Sequence, residues 1–550
     1  MRADGIPLFA EELARVLARA EPSHSDSAEV PPRLHDLLVA RLDERPEARP
    51  LLQALATVGA SAPRSLIERT AGLRAADVRR MLGVLVDAGV LTEHEPARDP
   101  VYRFRHVLLR DAAYATLPRS RRRALHATVA ADLLGGDRNV VPAIVAHHLE
   151  QGGDPAASAA WWLRAGYAAA QVAAHREVVD TLRHLLGILH VSGQAAGVDE
   201  LEVLALLSVS LVALEGYTSE EVARLHGRAR ELVERSALVP GAGTVYPLWA
   251  YHHVRGELGV SAALAQRLHV QAPEGNCAER AMSAAMVASD LMEQGRLGAA
   301  LPYLDEARRS AREPPPGIPH EIGPAVTVIE GVTLWILGER GRGRDEVAAA
   351  VRAAESLGLP RGPFTRAFVH TYAAWWALLA DDPDAAAAHA ARAVAEATEH
   401  GFPSWLAAGT MHAAGAQARL GGPAEAAAAA VTLDQLLSAW RAAGAETFRP
   451  EFLRWLAEAR AACGDTEGAL TAVREGLDHV RRFGGHLHEP ELHRLEGLLR
   501  AARGEQQAAV TSLLRAARVA HDLGALSFEA RARADLDSVT THRAQRDGPR

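Results

Sequence analysis

The sequence predicts an all-α protein, in which a small helical domain with two short strands precedes a long stack of helical hairpins. Ala, Leu, Arg and Glu dominate long stretches and favour helix, because their side chains lose little freedom there. Period-two alternation of apolar residues, typical of strands, occurs only near residues 101–104. A frame of small residues also recurs along the C-terminal part with a period of about 40, as in helical repeat arrays.

The N-terminal part is expected to contain a helix, a linker and a small domain. Residues 1–20 have the pattern of a Pro-initiated amphipathic helix, and the polar, Pro-containing residues 21–32 indicate a linker. Residues 33–125 combine leucine stripes of helical spacing with two short strands, at residues 90–92 and 101–104. Three helices and a two-stranded wing are the outline of a winged helix-turn-helix, so we expect a winged-helix-like domain.

From residue 126 onward the sequence predicts paired helices. They follow a recurring sequence pattern, which we call the repeat frame. In this frame a polar turn is followed by a small residue, and further small or apolar residues follow four and seven positions later. Short side chains at this spacing let the second helix of a hairpin nest against the first and against the next repeat. The frame resembles the tetratricopeptide repeat, which predicts an α-solenoid. Its leading residues are Ala300, Val347, Ala386, Ala426, Ala469 and Ala509.

The repeats are expected to form two sub-arrays, residues 126–312 and 325–537, on either side of a Pro-rich loop at 313–324. The polar residues 538–550 predict a disordered tail. A stack of repeats leaves a concave face, which predicts a groove for a protein or a small-molecule ligand. The tryptophan pairs 161–162 and 375–376 are expected to pack in the core, with one member of each pair available to the groove.

Composition excludes several classes of function. The chain has no lysine, so its 60 basic residues are all arginine, and neither a P-loop nor Schiff-base chemistry is available. The net charge of −8 argues against general affinity for nucleic acids or anionic membranes. Cys277 and Cys463 form no C-x-x-C motif, which fits a reducing cytoplasm. Without a recognisable nucleophile elbow either, the sequence predicts a cytoplasmic protein that is not an enzyme.

Clustered histidines require a test for metal binding. No H-E-x-x-H motif occurs, and adjacent histidines on a helix point about 100° apart, so they do not face one ion together. We therefore predict capping or packing roles and no metal site. The clustered histidines are His147, His148, His252, His253, His486, His488 and His493.

Three sets of residues resemble the signal-transduction ATPases with numerous domains, and among these the bacterial members often fused to adenylate or guanylate cyclase domains. Residues 5–13, GIPLFAEEL, resemble the family's G-N-P-L-F-x-E-E-L, with Ile6 in place of Asn. Residues 104–114, FRHVLLRDAAY, resemble its F-x-H-x-L-x-R-x-x-x-Y. Residues 491–497 and 526–532 are similar to its last repeats. The resemblance covers nearly the whole chain and corresponds to the C-terminal part of such proteins.

The resemblance implies that a P-loop ATPase module, absent from this sequence, precedes the matched region. It implies that Pro7 packs near the adenine and that His106 approaches the β-phosphate of ADP, so both are candidate remnants of a nucleotide lid. ATP or ADP is then expected only where an upstream P-loop module is supplied. The implied function is regulatory: the groove binds its ligand, and the winged helix relays occupancy to an ATPase or cyclase module.

Two alternatives stay open at this level. One is a DNA-binding transcriptional regulator that uses residues 33–105, with residues 75–88 as the recognition helix and Arg79 and Arg80 as contacts. The other is a component with residual ATP or ADP binding.

Overall fold

The computed structural model describes residues 42, 44–94, 99–135, 140–172, 174–192, 197–215, 219–235, 241–273, 275–311, 318–359 and 361–546. The chain divides into two compact units: unit 1 comprises the residues up to 165 with 184–198, and unit 2 comprises 166–183 with 199–550. The predicted N-terminal helix and linker lie outside the described residues, and so does Pro7.

The first unit has the order helix–strand–helix–helix–strand–strand, which is that of a winged helix. Further helices follow, of which α7 and α8 contribute to both units. The elements are α1 (Arg49–Val58), β1 (Ser61–Pro63), α2 (Arg64–Ala71), α3 (Ala75–Asp87), β2 (Leu91–His94), β3 (Val101–Phe104), α4 (Val107–Ala115), α5 (Arg119–Gly135), α6 (Pro142–Gln151), α7 (Pro155–Gln171) and α8 (His175–Ser192).

The strands form an antiparallel sheet in the order β1-β3-β2. Leu91 lies opposite Phe104, and Ala62 lies opposite Tyr102. The sequence predicts two of these strands, whereas β1 is an addition. Its three residues, Ser-Ala-Pro, are too few to show alternation and include no β-branched or aromatic side chain. This strand exists because β3 offers a free edge, and Ala62 is thereby buried in the core of the unit.

The second unit consists of helices that pack as consecutive antiparallel hairpins, and the first helix of each hairpin also contacts the first helix of the next. This stacking is that of a tetratricopeptide-like α-solenoid. The fold class predicted from the sequence is confirmed. The helices are α9 (Glu200–Glu215), α10 (Glu220–Arg235), α11 (Ala242–Val254), α12 (Leu258–Gln271), α13 (Cys277–Glu293), α14 (Leu297–Ser310), α15 (Ile322–Ile336), α16 (Arg340–Glu355), α17 (Gly362–Leu379), α18 (Pro383–His400), α19 (Pro403–Leu420), α20 (Pro423–Ala442), α21 (Arg449–Ala462), α22 (Thr466–Phe483), α23 (Glu489–Ala502), α24 (Gln506–Asp522) and α25 (Leu526–Arg546).

The predicted frame corresponds to the second helix of each hairpin. All six leading residues are buried, on the even-numbered helices α14 to α24. The prediction of a disordered tail from residue 538 is wrong for residues 538–546, which continue α25. Val539 is buried there against Ala509 and Leu513, so the tail packs on the last repeat frame. Residues 547–550 lie outside the described residues, as do 313–317 of the predicted Pro-rich loop.

Helices α15 and α16 approach each other closely through two glycines, Gly331 and Gly343. A Cβ added to Gly343 would lie 2.6 Å from the carbonyl oxygen of Gly331 and 2.8 Å from the backbone nitrogen of Trp335. Neither backbone atom is free to move away, so Gly343→Ala is expected to lower the free energy of unfolding by about 1–3 kcal/mol. Chemical denaturation measures this loss.

The matched control is Gly341→Ala on the same helix, where an added Cβ meets nothing within 4 Å. Alanine is the better helix former by up to about 1 kcal/mol, so this variant should be as stable as the wild type or more stable. Equal stability of the two variants would show that α15 and α16 do not pack through these glycines.

Within unit 2 the stack of hairpins returns on itself. The Ser527 hydroxyl donates a hydrogen bond to the carbonyl oxygen of Trp335 at 2.6 Å, which joins the last helix to α15. The backbone N–H groups of Glu446 and Thr447 donate to the carbonyl oxygen of Val254 at 2.7 and 3.1 Å. These bonds join segments about 190 residues apart in the sequence. The inner helices consequently surround a cavity.

Candidate functional site

The cavity of unit 2 has a volume of about 1360 Å³, and most of its lining residues come from α7, α9, α11, α17, α19 and the start of α21. Aromatic residues make up only 5% of the chain, so their concentration here does not follow from composition. Rings that line one concave space are typical of sites for small organic ligands. The aromatic lining residues are Tyr167, Tyr246, Trp249, Phe364, Phe368, Tyr372, Trp375, Phe402, Trp405, Trp440, Phe448 and Phe452.

The rings contact one another in a continuous series. Phe368 stacks on Tyr372 with centroids 4.7 Å apart, and the edge of Trp405 meets Phe368 at 5.1 Å. Phe448 continues the series to Tyr372 at 5.7 Å and to Trp375 at 5.9 Å, both edge-to-face. Such geometry is favourable because the edge of one ring is electropositive and the face of the next is electronegative.

Phe448 reaches this position through an unusual backbone. It precedes α21 with φ of 60°, in the left-handed region that bulky residues rarely adopt. A residue held there costs about 1–3 kcal/mol, and such residues cluster at ligand sites. The strained backbone directs the Phe448 ring against Tyr372 and Trp375.

The cavity carries little charge. No Asp, Glu or Asn occurs among the described lining residues, and the only amide side chain among them is Gln171. Arg361 is the one arginine in this set, and it lies 3.5 Å from the carboxylate of Glu321. The remaining titratable groups apart from tyrosine are His175, His253, His400 and His412.

His253 belongs to a buried polar cluster beside the cavity. Its Nδ1 lies 2.8 Å from the carboxylate of Asp290, which also accepts from Trp249 Nε1 at 2.8 Å and Ser261 Oγ at 2.7 Å. Burial opposes protonation of the imidazole, but the hydrogen bond and the negative charge of Asp290 prevail and raise the pKa of His253. The carboxylate of Asp290 therefore favours the protonated form of His253 from behind the cavity wall.

Two other buried polar groups in the lining have no such partner. Trp375 is 1% exposed and His412 is 2% exposed. Neither Trp375 Nε1 nor either ring nitrogen of His412 has a hydrogen-bond partner among the described residues. In contrast, the indole N–H groups of Trp249 and Trp440 donate to Asp290 and to the carbonyl oxygen of Thr447. These ring nitrogens are fully buried, so neither group presents a polar atom to the cavity.

His106, which the resemblance singled out, is not among the described residues that line this cavity. His106 precedes α4 in unit 1, where it is half-buried and makes no side-chain capping bond. Pro7 lies outside the described residues, so the structure does not show the two together. In the predicted recognition helix, which is α3, Arg79 bonds to the carbonyl oxygen of Ala75 and Arg80 lies 3.6 Å from Asp77.

The structure shows where the tryptophan pairs and the clustered histidines lie relative to the cavity. Trp375 lines the cavity whereas its neighbour Trp376 does not, and neither member of the pair at 161–162 lines it. Most of the clustered histidines bond to neighbouring side chains, as His488 does with Glu451 at 2.8 Å, whereas His147 contacts the rings of His126 and His148. Among the described residues, no three His, Cys, Asp or Glu side chains are grouped as a metal site requires.

Sequence reasoning did not identify the aromatic cavity. Its residues come from segments between Tyr167 and Phe452, and no local pattern connects them. A partial signal was present in residues 364–376, FTRAFVHTYAAWW, where aromatic residues recur at helical spacing. That spacing predicts one face of a helix, but it does not distinguish an open cavity from a filled core.

The architecture defines the class: this is a tetratricopeptide-like helical repeat protein. No family model matches the chain. A curated relative, an uncharacterized protein of Rhizobium meliloti strain 1021, is 24% identical over 570 aligned positions, which cover 96% of this chain and 53% of the relative. The chain spans about half the length of this relative. None of the described helices combines the length and apolar character that crossing a bilayer requires.

Similar solved structures are also helical repeat proteins. A Rap protein complexed with competence and sporulation factor has a TM-score of 0.44 and 12% identity, over 70% of this chain and 99% of that one. The Cut9–Hcn1 hetero-tetramer has a TM-score of 0.42 and 12% identity, over 93% of this chain and 90% of that one. A third structure is a signal-transduction ATPase with a tetratricopeptide repeat sensor, from Pyrococcus horikoshii. It has a TM-score of 0.32 and 10% identity, over 89% of this chain and 65% of that one. TM-scores this low do not allow the ligands of those proteins to be transferred to this chain.

Proposed function

We propose that this chain is a non-catalytic regulatory module whose second unit senses a ligand in the aromatic cavity. The observation that carries the proposal is the cavity, which has a volume of about 1360 Å³ and is lined by aromatic rings. Burial of the apolar surface of an organic ligand against such rings is strongly favourable. The described lining residues include no carboxylate, and although the Ser210 hydroxyl lies 3.3 Å from Nδ1 of His175, no carboxylate orients this imidazole through its Nε2. Such a site recognises and does not react.

We further propose that ligand binding is relayed through the winged-helix-like unit to an ATPase or cyclase module. The resemblance of residues 5–13 and 104–114 to switch ATPases supports this step. The relay would be a population shift, in which the ligand binds one arrangement of the solenoid more tightly than another. The size of this population shift is set by the ratio of the ligand's affinities for the two arrangements.

The test is a thermal-shift screen of the purified chain against sugars, nucleotides, peptides, lipids and uncharged ring compounds. A ligand that binds only the folded state raises the melting temperature, since 100 times its Kd adds about 2.7 kcal/mol of stability. We expect a stabilising compound whose effect is lost in Trp405→Ala. The Trp405 ring packs against Phe364 and Phe368 and is half-buried, so its removal should spare the fold.

The matched control is Trp161→Ala, which removes another half-buried tryptophan that does not line the cavity. This variant should keep the ligand-induced shift in full. A shift that persists in Trp405→Ala would place binding elsewhere and contradict the proposal. Chemical turnover of the stabilising compound would equally contradict a non-catalytic role.

A further inference from the structure

The buried hydrogen-bond network around His253 gives the cavity a polar group in a fixed position. We propose that His253 anchors the ligand by donating a hydrogen bond from Nε2 to an acceptor oxygen of the ligand, and that loss of this proton makes sensing depend on pH. This inference rests on the proposed function, because it assigns a residue and a ligand group to the sensing site.

The two nitrogens of the His253 ring have different surroundings. Nδ1 lies 2.8 Å from the carboxylate of Asp290. Nε2 bonds to none of the described residues and is not fully buried, in contrast to Nε2 of His175 and both ring nitrogens of His412. The side chain of His253 is 13% exposed and lines the cavity, so Nε2 is the ring nitrogen that a ligand can reach.

The network also fixes the orientation of the His253 ring. Asp290 accepts from Trp249 Nε1 at 2.8 Å and from Ser261 Oγ at 2.7 Å, so its carboxylate cannot turn away without breaking two further bonds. The indole of Trp249 stacks on the imidazole, with ring centroids 4.7 Å apart. A donor that is held in place before the ligand arrives loses little freedom on binding, which favours affinity.

Two carboxylates act on His253, and both belong to α13. Burial opposes protonation of the imidazole, but the hydrogen bond to Asp290 and the negative charges of Asp290 and Glu293 prevail and raise the pKa of His253 above its usual value of about 6.5. On α11 itself, the neighbouring imidazole of His252 bonds to Glu257 at 2.6 Å. The protonated form of His253 is therefore favoured near neutral pH.

Protonation decides what Nε2 offers to a ligand. Below the raised pKa of His253 both ring nitrogens carry protons, so Nε2 donates a charge-assisted hydrogen bond. Above this pKa the remaining proton lies on Nδ1, where Asp290 accepts it, and Nε2 can only accept. A ligand oxygen that only accepts is therefore held at lower pH, and its bond is lost as the pH rises.

Other titratable groups of the lining differ from His253. Burial raises the pKa of Tyr372 far above its usual value, so its hydroxyl stays protonated. Burial lowers the pKa of His175 and of His412, so both lose their protons at lower pH than His253 does. Arg361 remains charged throughout. His400 is a further imidazole of the lining and provides a matched control.

The test compares three compounds that share one ring system. Fluorenone has an oxygen that only accepts, fluorenol has a hydroxyl that donates or accepts, and fluorene has no oxygen. Displacement of Nile red, an uncharged fluorophore, from the full chain measures each affinity at pH 6 and at pH 9. We expect fluorenone to bind at least about fivefold more tightly than fluorene at pH 6 and no more tightly at pH 9, whereas fluorenol should keep its advantage at both.

Two variants assign the effect to a residue. His253→Gln keeps a side-chain donor but does not titrate, so its preference for fluorenone over fluorene should be the same at pH 6 and pH 9. His400→Gln is the matched control, because it removes another imidazole of the lining, and it should keep the wild-type pattern. The wild-type comparison needs no variant and stands even if His253→Gln does not fold.

The possible outcomes separate this inference from the proposed function. A wild-type preference for fluorenone that is the same at both pH values, or a pH-dependent preference that persists in His253→Gln, would overturn the anchor. A wild type that does not bind Nile red, or that binds fluorenone no better than fluorene at pH 6, would overturn it as well. A failure of every compound in the thermal-shift screen would instead reject the proposed function.

Discussion

Replacement of Arg454 by methionine is expected to lower the free energy of unfolding by about 3–5 kcal/mol, since removal of one partner from a buried ion pair leaves the other charge uncompensated. Arg454 is fully buried in α21 and bonds bidentately to the carboxylate of Glu451 at 2.8 and 3.2 Å. It also lies 3.1 Å from Glu458 and 3.5 Å from Glu491. Methionine fills much of the space but provides no charge for these carboxylates.

The same network predicts a direction of pH dependence. Burial alone would raise the pKa of Glu451, but Arg454 and His488 outweigh it and lower the pKa well below its usual range. A carboxyl group whose pKa is lower in the folded state adds stability above its unfolded pKa of about 4.3, and this stability is lost as the pH falls through the folded value. Wild-type stability should therefore fall below pH 4–5, and Arg454→Met should reduce this contribution.

Urea denaturation at pH 7 and at pH 4 measures both effects. The matched control is Arg481→Met, because Arg481 pairs with Asp478 on the exposed face of α22. Exposed pairs contribute about 0–1 kcal/mol, so this variant should remain close to the wild type. If Arg454→Met were equally close, the buried network would not stabilise the fold.

Replacement of Asp290 by asparagine is the second large effect, with an expected loss of about 2–4 kcal/mol, since donors that share one buried carboxylate lose their charged acceptor. Asp290 is 1% exposed and accepts from Trp249, His253 and Ser261. An amide of the same shape keeps one acceptor oxygen and turns the other into a donor. At least one of the three bonds must therefore be lost.

The sign of the pH dependence here is the opposite of that for Glu451. Because the folded pKa of His253 is raised, its pair with Asp290 adds stability that is fully present below the unfolded pKa of about 6.5. This stability is lost as the pH rises through the folded value. In the wild type the contribution should decline from pH 6.5 upward, whereas Asp290→Asn should show no such decline.

Unfolding curves at pH 6 and pH 9 distinguish the two proteins. Asp305→Asn is the matched control, since Asp305 is on the partly exposed face of α14 and pairs with Arg308 and Arg309 there. It should change stability by less than about 1 kcal/mol at either pH. A wild type whose stability rises from pH 6 to pH 9 in this comparison would contradict a charged His253–Asp290 pair.

The sequence by itself determined the helical hairpins and their frame. Small residues four and seven positions apart lie on one face of a helix, so a frame such as Ala300, Leu304 and Ala307 predicts a buried face from local spacing alone. All three side chains are buried. The two wing strands were also predictable, because residues 101–104 alternate between apolar and polar.

Only the tertiary structure decided the rest. Strand β1 depends on the edge of β3, and the burial of Val539 on α25 depends on Ala509 and Leu513, so no local pattern shows either. The cavity arises because the solenoid returns on itself, which brings together rings far apart in the sequence. Helical periodicity records which face of each helix is apolar. Where these faces meet, and whether they leave space between them, depends on the angles between successive hairpins, and those angles result from the packing of the whole stack.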